Sequence, residues 1–334
     1  MAIVQEIIQR LQQGAPRVLL TTHWNPDGDA IGSTLGLAHY LRAKGMSVQV
    51  VFPNTPSRAL QRSPGYGAEF TCVHHDNPER AKEWIGQADV HVALDYNTPH
   101  RVGQQLAEAL ESFQGDSVLI DHHPQPDASY DLLWSDTAKG STCEMVADLI
   151  EADAGLNSLD VAAAENLLMG LITDSGSFRF PSTSAHTLRV AATLMDCGVH
   201  PNDIHARLYE TSSEGRLQLF GRGLAGIQFV ANGQAALITL THQDMIDCQY
   251  QSGDTEGLVN WGLSVEGVRV SALLREDEPG VLKCSFRSTG QADVNAFARA
   301  HFNGGGHRNA AGGRSEESLT TASQRFAEHI QEIL

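Results

Sequence analysis

The first half of the sequence alternates short apolar segments with segments of helical character, and this alternation strongly constrains the fold. Apolar strands separated by helices are typical of a parallel sheet that helices cover on both faces. The predicted strands span residues 17–22, 47–52, 69–74, 89–95 and 117–121. The predicted helices lie near residues 31–44, 79–87, 102–113 and 141–152. We therefore predict an α/β domain whose ligands bind outside the carboxyl ends of the strands.

The pattern changes in the second half of the chain. After a mostly helical stretch, the segments that look like strands are 234–241, 268–276 and 281–289. The last two flank the turn sequence EDEPG, which predicts a hairpin. Helices are expected at 293–302 and 316–333. This part of the chain predicts a smaller α+β domain.

These patterns divide the chain into three parts. We predict a catalytic domain over residues 1–190 and a substrate-binding domain over residues 221–334. A helical connector, acting as a hinge, is expected over residues 191–220. The length of 334 residues suits two domains of ordinary size.

The charge of the chain limits the partners that it can bind. The formal net charge is −17, and the sequence has no basic stripe of the kind that binds long nucleic acid. A carboxylate-rich pocket that holds divalent ions could still attract a small phosphorylated ligand. We therefore expect small nucleotides and very short oligonucleotides, and no long nucleic acid, as partners.

The cysteines and the N-terminal segment indicate the compartment. Five scattered cysteines without a C-x-x-C pair predict reduced thiols. The segment MAIVQEIIQRLQQ predicts an amphipathic helix rather than a signal peptide, and apolar runs stay shorter than a membrane span. We expect a cytoplasmic protein that does not bind a membrane.

Aspartate and histidine residues follow several of the predicted strands. The segment TTHWNPDGDAIGS places three of them directly after the first strand, and the others end later apolar segments. These residues are His23, Asp27, Asp29, Asp95, Asp121, His122, His123 and Asp174. Any single one could be a turn or helix-capping residue. Because the strand ends of a parallel sheet share one edge, their joint occurrence predicts a metal site instead.

The types of ligand indicate the metal. Carboxylates and imidazoles without a thiolate suit Mn²⁺, Mg²⁺ or Co²⁺ better than a structural zinc ion. Six or seven ligands are too many for one ion that keeps an open position. They fit two ions about 3.5–4 Å apart, as in two-metal phosphoryl-transfer sites. We predict two divalent ions, with Mn²⁺ favoured.

The motifs resemble those of the DHH phosphoesterase superfamily. HWNPDGDAIGS, ALD, DHH and TDSGSFRF are similar to its four motifs, and FRS, DVNAFA and GGGHRNAAGG are similar to the DHHA1 domain that accompanies it. The overall pattern is most similar to the NrnA-type nanoRNases/pAp phosphatases. The resemblance implies cleavage of very short oligoribonucleotides and removal of the 3′-phosphate from 3′-phosphoadenosine 5′-phosphate (pAp).

The resemblance also implies roles for individual residues. One ion would be held by His23, Asp27 and Asp95, and the other by Asp29, Asp95, His122 and Asp174. Asp121 would orient a neighbouring imidazole, and His123 would face the phosphate or the leaving oxygen. We count His123, Asp95 and Asp121 as the catalytic residues.

The second domain would bind the substrate. The family pattern assigns this role to Arg287, Ser288, Gly305, Gly306 and His307, while Arg179 and Asn303 are weaker candidates. Consecutive glycines let a backbone approach a ligand closely, and the amides of such a loop can bind phosphate. A tight turn before a helix is the structural alternative for this glycine cluster.

Several other functions fit parts of the sequence. Related DHH–DHHA1 proteins hydrolyse cyclic di-AMP or its linear product pApA, and a stand-alone protein of that kind is an open alternative. A RecJ-like exonuclease would need additional nucleic-acid-binding domains, and the GGGH segment argues against a manganese pyrophosphatase. A non-catalytic nucleotide sensor is the alternative outside enzymes, although every metal-ligand position is filled. The resemblance makes a homodimer plausible.

Overall fold

The computed structural model of the chain describes residues 2–210 and 212–334. Contacts divide the described residues into two compact units, 2–210 and 212–334. The division lies inside the segment 191–220, whose role as a connector stays a prediction. Within the described residues, no helix has both the length and the apolar character needed to cross a membrane.

The first unit is built on one parallel sheet. Its strands are β1 (Arg17–Thr21), β2 (Ser47–Phe52), β3 (Thr71–Val73), β4 (Val90–Leu94), β5 (Asp116–Asp121) and β6 (Leu132–Ser135). Their order is β3-β2-β1-β4-β5-β6, and all neighbours are parallel. The direction of winding reverses between β1 and β4, which is where ligands bind in sheets of this kind.

Helices cover both faces of this sheet, as the sequence predicts. They are α1 (Ala2–Gln12), α2 (Gly28–Ala43), α3 (Pro78–Gln87), α4 (Gln104–Leu110), α5 (Thr142–Asp153), α6 (Val161–Asp174), α7 (Ala185–Asp196) and α8 (Pro201–Tyr209). Alternate strand residues enter two separate cores, because successive side chains of a strand face opposite ways. Leu20 and Val92 pack with the core of α2, α5 and α6, whereas Leu19 and Ala93 pack with α3 and α4.

Glycines allow α2, α5 and α6 to pack very closely below the end of the sheet. A Cβ atom on Gly32 would collide with the carbonyl oxygen of Asn166. A Cβ atom on Gly170 would collide with the Cys143 sulfur and would lie 2.8 Å from Oδ1 of Asp29. The spacing of these three helices therefore depends on residues without side chains.

The second unit contains a mixed sheet. Its strands are β7 (Gln228–Val230), β8 (Ala235–Leu240), β9 (Val270–Glu278), β10 (Val281–Ser288), β11 (Gly305–His307) and β12 (Ala310–Ser315). Its helices are α9 (Glu214–Ala225), α10 (His242–Asp247), α11 (Val294–His301) and α12 (Leu319–His329). The order is β11-β12-β10-β9-β8-β7, and only the β8–β9 pair is parallel among these strands. The predicted hairpin is confirmed as β9–β10.

Several segments differ from the sequence prediction, among them strands β6, β7, β11 and β12. Strand β6 was not predicted, because it is only four residues long and half-buried along its length. The GGGH segment, for which we expected a loop, contributes edge strand β11 instead. Its glycines permit this pairing, since a Cβ atom on Gly306 would lie 2.8 Å from the Cα atom of Ala311.

Candidate metal centre

The predicted ligands of the first unit meet at the carboxyl edge of its sheet. His23 follows β1, Asp95 follows β4, and Asp121 ends β5. Asp27 precedes α2, and Asp174 is the last residue of α6. Because β1 and β4 are the neighbours at which the winding reverses, the side chains gather at the position that the topology favours for a ligand.

Asp95 lies at the centre of this group. Its side chain is buried, and its backbone adopts a left-handed conformation with φ of 65°. Oδ2 lies 3.4 Å from Nε2 of His23, and Oδ1 lies 3.5 Å from Nε2 of His122. The hydroxyl of Thr142 donates a hydrogen bond of 3.0 Å to Oδ1. Asp95 thus contacts both imidazoles, one with each carboxylate oxygen.

Backbone carbonyls orient the two imidazoles. Nδ1 of His23 lies 2.9 Å from the carbonyl oxygen of Trp24, and Nδ1 of His122 lies 3.4 Å from that of Lys139. Since a carbonyl oxygen only accepts, each Nδ1 carries the proton. Both Nε2 atoms therefore face the carboxylates, and Nε2 is the nitrogen that each ring would offer to a metal ion in exchange for a proton.

Asp29 is held by the start of α5. Its carboxylate is fully buried, and it accepts hydrogen bonds from the backbone amides of Thr142 at 2.6 Å and Cys143 at 2.8 Å. These are two of the unpaired amides at the N-terminus of a helix, which favours negative charge. Oδ2 of Asp29 lies 3.9 Å from Nε2 of His122.

Asp27 and Asp174 complete the group. Oδ1 of Asp27 caps α2 by accepting from the amides of Asp29 and Ala30, while Oδ2 lies 3.7 Å from Nε2 of His23. Oδ2 of Asp174 lies 3.4 Å from Nε2 of His122. Asp27 is therefore both a helix-capping residue and a member of the predicted metal site.

The concentration of carboxylates perturbs the titration of the group. Burial alone would lower the pKa of His23, but Asp27 and Asp95 outweigh it and raise that pKa to about 10. Burial is likewise outweighed at His122, whose pKa rises to about 11 beside Asp174 and Asp95. Burial and the neighbouring carboxylates raise the pKa of Asp29. Negative charge is in excess here, and the geometry attracts cations.

Asp121 and His123 form a separate hydrogen-bonded pair. Nδ1 of His123 lies 2.7 Å from Oδ1 of Asp121. The Asp121 side chain is fully buried, and its Oδ2 has no hydrogen-bond partner among the residues that the structure describes. This hydrogen bond fixes the ring of His123. Nδ1 of His123 also lies 3.7 Å from Oδ1 of Asp95.

The donor atoms fit the predicted ions. The donors form two sets of three residues. The first set is His23, Asp27 and Asp95, and the second is Asp29, His122 and Asp174. Within each set, the ligand atoms lie within 4.8 Å of one another. They are the sets that the family resemblance implies, apart from the shared use of Asp95. Oxygen-rich sites with imidazole suit hard or borderline divalent cations.

Thr142 and Cys143 are contributions that the sequence reading missed. The helix predicted near residues 141–152 was the available signal, and in the structure Ser141 is the N-cap of α5. What the sequence does not show is that the first amides of this helix reach Asp29, far away in the chain.

In the second unit, two of the predicted substrate residues lie in one row across the sheet. Arg287 on β10 and His307 on β11 both pair with Ala310 of β12, so their side chains share one face. Arg287 also lines a cavity of about 240 Å³, together with Lys283 and Arg275. Arg275 is paired with Asp277, so Arg287 and Lys283 remain as cationic side chains on this face.

The other predicted substrate residues differ in availability. The buried hydroxyl of Ser288 donates to the carbonyl of Ala292 at 2.7 Å and accepts from the Asn309 amide at 2.9 Å, which makes it part of the local framework. The Gly306 amide donates to Oδ1 of Asn295 at 2.9 Å, so it is already paired.

Three further candidates lie outside these pairings. Gly305 is half-buried and lies on the same face as His307, two residues away along β11. Asn303 is exposed and has a φ of 44°, in the turn before β11. Arg179 is exposed in the turn after α6, and its Nε donates to the carbonyl of Gly176 at 2.7 Å.

Comparison with known proteins establishes the family. Residues 17–171 match the DHH family, N-terminal domain, and residues 239–334 match the DHHA1 domain. The chain is 32% identical to the bifunctional oligoribonuclease and PAP phosphatase NrnA of Thermus thermophilus, over 100% of this chain and 94% of the relative. The chain belongs to the DHH family.

The chain is also similar to a protein of known structure and to a longer phosphodiesterase. A crystal structure of an exopolyphosphatase-related protein from Bacteroides fragilis superimposes with a TM-score of 0.88 at 31% identity, covering 99% of this chain and 96% of that one. The cyclic-di-AMP phosphodiesterase PdeA of Listeria monocytogenes is 26% identical over 98% of this chain, but the match covers only 49% of the relative. The chain therefore matches one relative along almost its whole length and about half of another.

Proposed function

We propose that this protein is a metal-dependent phosphoesterase that hydrolyses very short oligoribonucleotides to mononucleotides and pAp to AMP. The observation that carries the proposal is the placement of two sets of metal donors against the two carboxylate oxygens of Asp95. The activities named for the Thermus thermophilus relative support the choice of substrates.

The residues divide between two cation positions. His23, Asp27 and Asp95 would form one position, and Asp29, His122 and Asp174 would form the second, with Asp95 shared. Mn²⁺ is the favoured ion, and Mg²⁺ and Co²⁺ are the alternatives. When bound, two divalent ions would neutralise charge on the phosphate oxygens and lower the pKa of the attacking water.

The chain itself keeps these donors in place. Asp29 cannot rotate without breaking its two hydrogen bonds to the start of α5, and Asp95 is similarly fixed by the Thr142 hydroxyl. Preorganised charges do not need to be reoriented during the reaction, which is the main electrostatic contribution to catalysis.

His123 is proposed to act on the phosphate or on the leaving oxygen. Asp121 accepts from its Nδ1, which leaves Nε2 as the ring nitrogen that can donate a proton. Asp121 is thus a positioning residue for His123.

The cationic face of the second unit is proposed to bind the nucleotide. Arg287 can form paired hydrogen bonds with a phosphate, and His307 lies in the same row of the sheet. Gly305 leaves space beside them, and Asn303 is proposed as a further contact. Arg179 is proposed as a substrate contact of the first unit. Ser288 and Gly306 would act by shaping the backbone, because their own polar groups are paired. A cytoplasmic location and a homodimer stay predictions from the sequence.

The test is a comparison of substrates with the Mn²⁺-loaded full chain. We expect rapid cleavage of pAp and of a linear dinucleotide, with a long single-stranded RNA largely intact. The control variant is Asp116→Asn, at the opposite end of β5, which should retain activity. Absence of metal-dependent hydrolysis of every substrate would refute the enzyme assignment and favour a nucleotide sensor.

The second candidate function is hydrolysis of pApA or cyclic di-AMP. The observation in its favour is the similarity to the Listeria phosphodiesterase along nearly the whole of this chain. The same assay distinguishes the two functions: a strong preference for pApA or cyclic di-AMP over pAp and the dinucleotide would assign the protein to second-messenger turnover.

A further inference from the structure

Three potential metal ligands converge at the C-terminal end of the second unit. His301 ends α11, His329 ends α12, and Glu332 lies in the short 3₁₀ helix Ile330–Ile333 that follows. Nε2 of His301 lies 2.9 Å from Oε2 of Glu332, and Nδ1 of His329 lies 2.7 Å from Oε1. One donor atom of each side chain lies within 4.8 Å of the other two.

The two imidazoles are stacked beside the carboxylate. Their ring centroids are 4.3 Å apart, and their planes differ by 21°. The stack brings a nitrogen of each ring to the same side, where Glu332 lies. His329 and Glu332 are three residues apart, a spacing that puts side chains on the same face of a helical turn. Two histidines and a glutamate in this arrangement form a three-ligand set that leaves one open position.

We propose that His301, His329 and Glu332 form a binding site for one zinc ion in the second unit, separate from the proposed catalytic centre. The ion would replace the hydrogen bonds between the carboxylate and the imidazoles, with water as the fourth ligand. It would link the ends of α11 and α12 to the C-terminal turn. This site goes beyond the proposed function and does not depend on it.

The ligand set distinguishes this site from the one in the first unit. Two of its three donors are imidazole nitrogens, whereas the first unit offers four aspartates and two histidines. Imidazole-rich sites bind Zn²⁺ more tightly than Mn²⁺, in agreement with the general order of affinities. Because the same order applies to the donors of the first unit, zinc that replaces Mn²⁺ there is counted equally in the wild type and in a variant of the second unit.

The surroundings allow the small contraction that a zinc ion requires. Zn²⁺ binds nitrogen at about 2.0–2.1 Å, so the donor atoms must move closer together. The His301 ring is packed against Phe297, at 5.0 Å between centroids, and is a fixed donor. The side chains of His329 and Glu332 are 40% and 54% exposed, which leaves them free to adjust.

The local charge also suits a cation. Glu332 contributes a carboxylate ligand, with one oxygen facing each imidazole. Arg325 lies close by and donates to the carbonyl of His301 at 2.8 Å, but its guanidinium is paired with Glu317.

The test counts the zinc ions bound by the full chain. Metal-free protein is saturated with Mn²⁺ and dialysed to equilibrium against Zn²⁺, and bound zinc is measured per chain. His329→Gln is the test variant, because His329 is exposed enough to be replaced without disturbing the core. His200→Gln, which changes an exposed histidine of the first unit, is the matched control.

We expect His329→Gln to bind one Zn²⁺ ion fewer than the wild type and the control, which should be equal. Because loss of even an indirect ligand contact weakens metal binding by 10–100-fold, the Kd of this ion should rise by about 100-fold or more. Equal zinc content and affinity in all three proteins would overturn the proposal and leave a carboxylate hydrogen-bonded to two imidazoles.

A second measurement separates loss of a ligand from damage to the fold. In the wild type, zinc binding should shift the imidazole ¹⁵N resonances of His301 and His329. In His329→Gln, the resonances of His301 should shift much less. Unshifted wild-type resonances at saturating zinc would contradict the site. Both measurements compare the wild type with His329→Gln, which leaves the first unit unchanged, so their outcome is independent of whether the catalytic proposal holds.

Discussion

The charged groups of the two units are arranged in opposite ways. At the carboxyl edge of the first sheet, carboxylates such as Asp29 and Asp95 are buried and fixed by hydrogen bonds. On the second sheet, Arg287 and His307 lie on one face, on the two strands that flank β12, and remain accessible. Burial makes charge interactions strong and fixed in direction, whereas exposure leaves them weaker and adaptable. The first arrangement suits chemistry, and the second suits binding.

The largest effect is expected for Asp95→Asn, which removes charge at the centre of the first site. Asparagine has nearly the same size and can still accept from Thr142, so the fold should be retained. Loss of a preorganised catalytic charge should lower kcat on the order of 1,000-fold. Steady-state hydrolysis of pAp measures this, with Asp116→Asn as the control. A decrease in kcat of less than tenfold would contradict the assignment of the chemical step to the buried carboxylates of the first unit.

A buried histidine outside the metal donors gives the next effect. His91 is fully enclosed in β4, and burial lowers its pKa to about 4. Because the folded pKa lies below the unfolded value, its contribution to stability is complete above the unfolded pKa of about 6.5 and is lost as pH falls towards 4. The difference amounts to about 3 kcal/mol at most.

Urea unfolding of metal-free protein at several pH values tests this prediction. The His91→Gln variant should show a smaller loss of unfolding free energy between about pH 6.5 and pH 4 than the wild type does. Equal pH dependence in the two proteins would mean that His91 does not titrate as its burial requires.

Binding of Mn²⁺ should stabilise the protein through the first unit only. At 100 times its Kd, one bound Mn²⁺ adds about 2.7 kcal/mol to the free energy of unfolding. Asp174→Asn should reduce this gain, whereas Arg287→Gln should leave it intact. Urea unfolding with and without Mn²⁺ measures this gain in the free energy of unfolding. A smaller gain in Arg287→Gln than in the wild type would contradict the prediction that Mn²⁺ binds only in the first unit.

The smallest effect is expected on the exposed face. Replacing Arg287 by glutamine removes a charged contact with phosphate and should raise KM for a dinucleotide by about tenfold, with little change in kcat. Arg189→Gln, which removes an exposed arginine from α7, is the control. A change confined to kcat would mean that Arg287 acts on the transition state rather than in binding.

The sequence predicted much of the fold and of the first site because both depend on local patterns. Apolar strands followed by Asp or His indicated the parallel sheet and placed His23, Asp95 and Asp121 at one edge. Longer-range effects were beyond reach: nothing near Asp29 shows that the start of α5 binds its carboxylate.

The second unit was harder to predict for a related reason. Glycine favours loops in isolation, so GGGH was expected to be a loop. It becomes a strand because β12 is available to pair with it, and this partner lies across a turn. Ser288 illustrates the same limit, since its family motif does not reveal that its hydroxyl is already hydrogen-bonded to Ala292.

The central claim is that the first unit holds two cations that share Asp95. Electron paramagnetic resonance of the full chain titrated with Mn²⁺ tests it most directly, because two ions about 3.5–4 Å apart are magnetically coupled. We predict a spin-coupled Mn²⁺ pair in the wild type and its loss in Asp95→Asn, with retention in Asp116→Asn. A single uncoupled Mn²⁺ signal at saturation, or a coupled signal that survives in Asp95→Asn, would contradict the claim.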